Sequence, residues 1–134
     1  MEKKYLVIID EDKSTRSAAL AIVSHLIGRN VKIVNAASFE GIDILGQDYL
    51  FFGCANPKPS SFAYLENLLR HINLAGRKCG VFSASKTNGI KSIQYLTSIV
   101  KDSEVKLLGK PLISNNILSI QNWTKNILVG ETNE

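Results

Sequence analysis

Tyr5-Leu6-Val7-Ile8-Ile9, followed at once by Asp10-Glu11-Asp12-Lys13-Ser14-Thr15, decides how the chain reads. The apolar run is a short strand, and the polar stretch after it is a loop. Ala19, Ile22, Val23, Leu26 and Ile27 then fall at the i, i+3, i+4, i+7, i+8 spacing of a core-facing helix that stops near Gly28 or Asn30. Strand, loop and helix form the first half of a βαβ unit. The loop at the carboxyl end of such a strand is where open α/β sheets hold ligands. In this loop Ser14 and Thr15 suit an oxyanion or a helix cap, whereas Asp10, Glu11 and Asp12 set negative charge in the same place.

The pattern continues along the chain. Further strands are expected at Val31–Val34, Tyr49–Gly53, Lys78–Ser83 and Val105–Leu108. Helices are expected after Pro59-Ser60-Ser61 (Phe62, Leu65, Leu69 and Ile72 on one face), after Asn88-Gly89 (Ile90, Ile93, Leu96, Val100) and after Ser114 (Ile117, Ile120, Trp123, Ile127). Between Val34 and Tyr49 the periodicity is weak, and Ser38 to Leu45 reads as a short helix or an irregular crossover. Strands alternating with helices predict an α/β fold: a three-layer sandwich whose five-stranded parallel sheet, in the order 2-1-3-4-5, carries helices on both faces. The ligand crevice then lies over strands 1, 3 and 4, between Asp10–Thr15, Cys54–Pro59 and Ser83–Gly89.

The 134 residues suit one domain, 1–134, with residues 130–134 expected to fray. No apolar run approaches a membrane span. The apolar stretch before Asp10 is too short for a signal-peptide core, so the expected compartment is the cytoplasm. Cys54 and Cys79 sit near opposite ends of neighbouring strands, which predicts two buried thiols and no disulfide. Net charge is +4, but the basic residues are scattered without interleaved aromatics, so no nucleic-acid face is expected. His25 and His71 have no partner at ligand or triad spacing. No Gly-x-Ser-x-Gly, Walker or Cys-x-x-Cys motif is present, and nothing assembles an acid, a base and a nucleophile.

Several pieces in this order resemble the flavodoxin family: Lys4–Ile9, Lys13-Ser14-Thr15-Arg16 entering an Ala-rich helix, Gln47-Asp48-Tyr49-Leu50-Phe51-Phe52-Gly53-Cys54, Leu74–Ser83 and Val105–Leu112. The resemblance spans nearly the whole chain. It implies a flavodoxin-like fold, noncovalent FMN and electron transfer to a redox partner protein. Carried over residue by residue, it puts the phosphate at Lys13, Ser14 and Thr15. The flavin ring falls between Ala55-Asn56-Pro57 and Ser83, Ala84, Ser85, Asn88 and Gly89. Small residues and Ser/Thr hydroxyls at a helix N-terminus suit a phosphate. The chain departs from the pattern in three ways: the loop has no glycine and reads about one residue short, it carries three carboxylates, and neither ring-flanking loop holds an aromatic. A base–aromatic stack is worth roughly 1–3 kcal/mol per ring in nucleic-acid systems.

The acidic loop also resembles the response-regulator receivers, whose acidic pair after the first strand holds Mg²⁺. Ser83-Ala84 and Lys110-Pro111 match two further parts of that pattern. The phosphoacceptor Asp is missing, because Gly53 stands at the end of the third strand. A flavin-free regulatory or interaction domain, pseudo-flavodoxin or pseudo-receiver, is therefore the alternative to an FMN carrier.

Overall fold

A parallel sheet forms around β1 (Lys4–Ile9) and β3 (Tyr49–Gly53) in the computed structural model, which describes residues 3–26 and 28–129. Ile27 of the expected helix stripe and the tail at 130–134 lie outside the described residues. In chain order, β1 is followed by α1 (Lys13–His25), β2 (Asn30–Asn35), the single turn α2 (Ile42–Leu45) and β3. A 3₁₀ turn (Ser60–Phe62) leads into α3 (Ala63–His71). Then come β4 (Lys78–Ser83), α4 (Gly89–Lys101), β5 (Lys106–Leu107), β6 (Leu112–Ile113) and α5 (Ile117–Ile127). The sheet order β2-β1-β3-β4-β5 is the expected one, and every pairing is parallel.

The apolar runs are explained by burial on two faces. Side chains alternate across a strand. Leu6, Ile8, Leu50 and Phe52 therefore pack with Phe62, Leu65, Leu69 and Leu96 of α3, α4 and the turn before α3. Tyr5, Val7, Ile9, Tyr49 and Phe51 pack on the other side with Ala19, Ile22 and Ile120 of α1 and α5. A strand covered on both sides has no position for a polar residue, so it reads as a continuous apolar run.

The fifth strand differs from the expectation. The edge is divided: β5 runs beside Lys78–Cys79 and β6 beside Phe82–Ser83. Leu108 still donates its N–H to the Cys79 carbonyl (2.7 Å). Gly109 then takes φ +57°, and Pro111, which has no N–H, follows. A left-handed glycine and a missing donor lift the chain off β4, which an edge strand tolerates. Trp123 fastens the excursion by donating its indole N–H to the Lys110 carbonyl (2.7 Å).

Two helix stripes are corrected as well. Ile90 and Ile117 were expected in the core, yet both are exposed. Each stands in the first turn of its helix; the buried residues of α4 are Gly89, Ser92, Leu96, Ile99 and Val100, and those of α5 are Ile120 and Thr124. His25 and His71 are exposed at the last turns of α1 and α3. Cys54 and Cys79 are free and buried. Cys79 lies opposite Leu50, so Cys54 stands about 13 Å further along at the strand rise, beyond disulfide reach.

Gly53 closes β3 because nothing larger fits. A Cβ there would lie 2.2 Å from the Phe82 ring. Gly53→Ala should lower stability by about 1–3 kcal/mol, the usual cost of overpacking. Urea unfolding followed by the fluorescence of Trp123, which packs against Phe51 and Phe82, measures it; an unchanged midpoint would contradict the packing described.

Candidate functional site

The loops at the carboxyl ends of β1 and β3 are joined by one buried carboxylate. Asp10 is 2% exposed. Its Oδ2 accepts from the N–H of Ala55 (2.9 Å) and its Oδ1 from that of Asp12 (3.3 Å). The Ala55 carbonyl in turn accepts from the Ser92 hydroxyl of α4 (3.2 Å). Both backbone groups of Ala55 are thus satisfied within the protein, and α4 is tied to the same crossing.

Asp12, not Ser14 or Thr15, is the N-cap of α1. Its side chain accepts from the Ser14 N–H (2.8 Å) and from the Ser14 hydroxyl. These bonds stabilise the ionised form. The Ser14 hydroxyl is the largest cause, followed by the Ser14 and Thr15 N–H groups, and together they hold the Asp12 carboxyl below the usual carboxylate range despite some desolvation. A helix N-terminus offers unpaired N–H groups and positive potential to an anion. Here the chain supplies that anion itself. Thr15 is fully buried, and its hydroxyl oxygen has no hydrogen-bond partner.

A cavity of about 310 Å³ opens beside this cap, lined by Asp10, Glu11, Asp12, Asn56, Pro59, Ser60 and Ser61. Of the residues the flavodoxin resemblance gives to FMN, only Asn56 lines it, whereas all three carboxylates of the acidic loop do. Glu11, Pro59, Ser60 and Ser61 join it although Ser60 and Ser61 read only as a helix start. Lys13 is exposed and Ser14 half-buried at the mouth of α1. In the β3–α3 loop, Pro57 is half-buried, and Lys58 between the two prolines takes φ +56°, a strained value for a residue with a side chain. The third loop is bonded to itself. Ser85 donates its N–H to the buried Ser83 hydroxyl (3.3 Å), and Asn88 donates to the Ser85 hydroxyl (3.0 Å). Ala84 is buried, Asn88 is exposed, and Gly89 is buried with Ile113 packed against it.

Both Asp10 and Asp12 are engaged by N–H groups of the chain itself. Asp10 turns inward and Asp12 turns onto its helix. Among the described residues no group of three His, Cys, Asp or Glu side chains could hold a metal ion. The nearest thiol, Cys54, is pushed up to about 12, mainly by burial and then by the charge of Asp10, so it stays protonated at neutral pH. Among the described residues no helix is long and apolar enough to cross a membrane.

Comparison with solved structures places the chain in the flavodoxin-like fold. Oxidised flavodoxin 2 from Bacillus cereus superposes with a TM-score of 0.82 at 17% identity, over 95% of this chain and 99% of that one. A flavodoxin from Streptococcus pneumonia TIGR4 gives 0.81 at 14%, over 95% and 98%. The Fusobacterium nucleatum flavodoxin bound to flavin mononucleotide gives 0.79 at 14%, over 97% and 99%. No protein-family model matches the sequence, and no curated protein does. At these identities the likeness is one of fold.

Two substitutions test the cap. Asp12→Ala should cost about 0.5–2 kcal/mol at neutral pH, as N-cap losses do, while Asp12→Asn retains most of the stability. Because the folded-state pKa is depressed, the ionic part of this stabilisation is present above the ordinary carboxylate value and disappears as pH falls through the folded-state pKa. The gap between wild type and Asp12→Ala should therefore narrow in acid-range unfolding curves. Thr15→Val removes a buried hydroxyl that has no partner. It should raise the thermal midpoint, since an unsatisfied buried polar group costs about 1–3 kcal/mol. A lowered midpoint would mean that the hydroxyl has a structural partner.

Proposed function

We propose that this chain is a flavin-free interaction or regulatory domain built on the flavodoxin-like fold. The observation that carries the reading is the Asp12 carboxylate seated on the first N–H groups of α1, where a phosphate would have to sit. Charge magnitudes support this reading. At 4 Å, each pair of like unit charges costs about 1 kcal/mol in water and about 4 kcal/mol near a protein surface. Asp12 lines the cavity together with Asp10 and Glu11, so a phosphate dianion would meet several such pairs. A helix N-terminus returns only about 0.3–1 kcal/mol per favourable charge. Lys13 would offset one such pair, leaving the others. The ring-flanking loops point the same way: Ala55 has no free backbone group, and neither loop carries an aromatic side chain.

The second reading is an FMN-binding electron carrier with a redox partner protein. It is favoured by the fold shared with the FMN-bound Fusobacterium nucleatum flavodoxin and by the unpartnered Thr15 hydroxyl at the entrance of α1. In that reading Lys13, Ser14 and Thr15 would hold the phosphate. The segments Ala55–Pro57 and Ser83–Gly89 would flank a ring that supplies one- and two-electron chemistry when bound.

FMN titration separates the two. The purified protein should be colourless, and added FMN should keep its full fluorescence through equimolar protein. Quenching at a defined stoichiometry, weakened by Thr15→Val, would overturn the flavin-free reading.

A further inference from the structure

The two borders of the sheet are built differently. On one side the β5–β6 edge is broken into two-residue pieces by Gly109 and Pro111 and is crossed by the Trp123 hydrogen bond to Lys110. On the other side β2 ends the sheet order. All six of its residues stay in register with β1, with no glycine or proline among them. Edge strands are kept from pairing with other chains by short length, proline, bulges or charge. Of these devices β2 has only the charge of Lys32. Val31, Ile33 and Val34 are half-buried, while Asn30, Lys32 and Asn35 are exposed.

Alternate residues of this edge offer their backbone to a neighbour. The Ala36 N–H donates to the Ile9 carbonyl (2.9 Å). Backbone groups alternate sides along a strand, so Lys32 and Val34 also bond inward to β1, and Val31, Ile33 and Asn35 direct N–H and C=O outward. Among the described residues the outward groups of Val31 and Ile33 have no partner. The Asn35 carbonyl takes the Ser38 N–H (3.1 Å) and keeps a second lone pair. Val31 and Ile33 lie on the side of the sheet that α1 and α5 cover, and Val34 on the other. Charge differs between the ends of the strand. Arg29, bonded to the Tyr5 hydroxyl (3.0 Å), precedes it and Lys32 lies within it. Glu40 and Asp43 follow it, and Lys13 and Arg16 open the neighbouring α1.

We propose that β2 is a dimerisation edge, on which a second copy pairs its own β2 antiparallel about a two-fold axis through Ile33 and joins the two sheets into one. Such an interface presents the same patch from both copies. A two-fold perpendicular to the sheet keeps each face on its own side, so outward residues meet outward residues. With the axis at Ile33, that residue exchanges both backbone hydrogen bonds with its copy. Val31 pairs with Asn35, and Lys32 lies across from Val34. An axis at Lys32 would instead set lysine directly against lysine, which is unfavourable across a strand pair, and would leave Asn35 beyond the end of the opposite strand. Antiparallel pairing also lays the amino end of β2, with Arg29 and Lys32, beside the end that Glu40 and Asp43 follow, whereas parallel pairing would lay like ends together. This inference goes beyond the functional reading above and holds whether or not flavin binds.

The test uses the full chain. Sedimentation velocity from micromolar to millimolar concentration should show a monomer–dimer equilibrium. Amide exchange at Val31, Ile33 and Asn35 should slow as the dimer fills, while that at Lys32 and Val34 stays the same. Ile33→Lys should weaken dimerisation by about tenfold or more, because it opposes two lysines across the axis. Two cysteine variants read the register without that added charge. Hydrogen-bonded antiparallel pairs hold their Cα atoms about 5.5 Å apart, within disulfide reach, so Ile33→Cys should give a disulfide-linked dimer under air oxidation. Lys32→Cys should not, since its copy lies two residues along the strand and about 8 Å away. A monomer at millimolar concentration would overturn the proposal. So would a dimer that leaves the exchange of the outward amides unchanged, or faster cross-linking of Lys32→Cys than of Ile33→Cys.

Discussion

Two-sided burial of β1 and β3 is the constraint on which the rest of the structure depends. Residues 5–9 and 49–53 are all buried, with odd and even positions feeding separate cores on the two faces of one sheet. Such strands must be apolar throughout, and helices must cover both sides. The parallel crossovers then deliver the polar loops after β1, β3 and β4 to one end of the sheet. The location of a candidate site is therefore a consequence of core packing, before any residue in the loops is considered.

What occupies that location is the chain's own chemistry. Asp10 crosses from the first loop to the second and binds the Ala55 N–H, while Asp12 caps α1. The two carboxylates use N–H groups that this end of an α/β sheet otherwise turns toward a ligand. The fold provides the anion-attracting end of a helix, and the sequence fills it with a fixed negative charge. A shared architecture at 14–17% identity accordingly says little about what is bound, because function resides in the site and not in the fold.

The divided edge strand has a parallel effect on the opposite border. Gly109 and Pro111 lift the chain from β4 and return it as β6, and this places Ile113 on Gly89. Aliphatic residues whose spacing belongs to a core stripe end up outside it. In α4 the first turn is buried at Gly89, under Ile113, and Ile90 beside it faces outward, while in α5 burial starts at Ile120.

Sequence alone determined the fold class, the strand order, the strand-exit end as the place of interest, and the two unpaired thiols. Each follows from local information: apolar runs, 3.6-residue periodicity, and the strand rise that separates Cys54 from Cys79. It did not determine the division of the last strand, since a break at Gly109 and Pro111 depends on where β4 can still accept hydrogen bonds. Ser14 and Thr15 read equally well as a phosphate cradle or a cap, while the structure gives the cap to Asp12. A side chain's choice between solvent, its own helix and a neighbouring loop is set by three-dimensional neighbours that spacing does not encode. For the same reason Ile90 and Ile117 matched a core pattern and yet face outward. Periodicity reports which face of a helix is apolar, and only the tertiary structure decides how far along that helix there is a sheet to cover it.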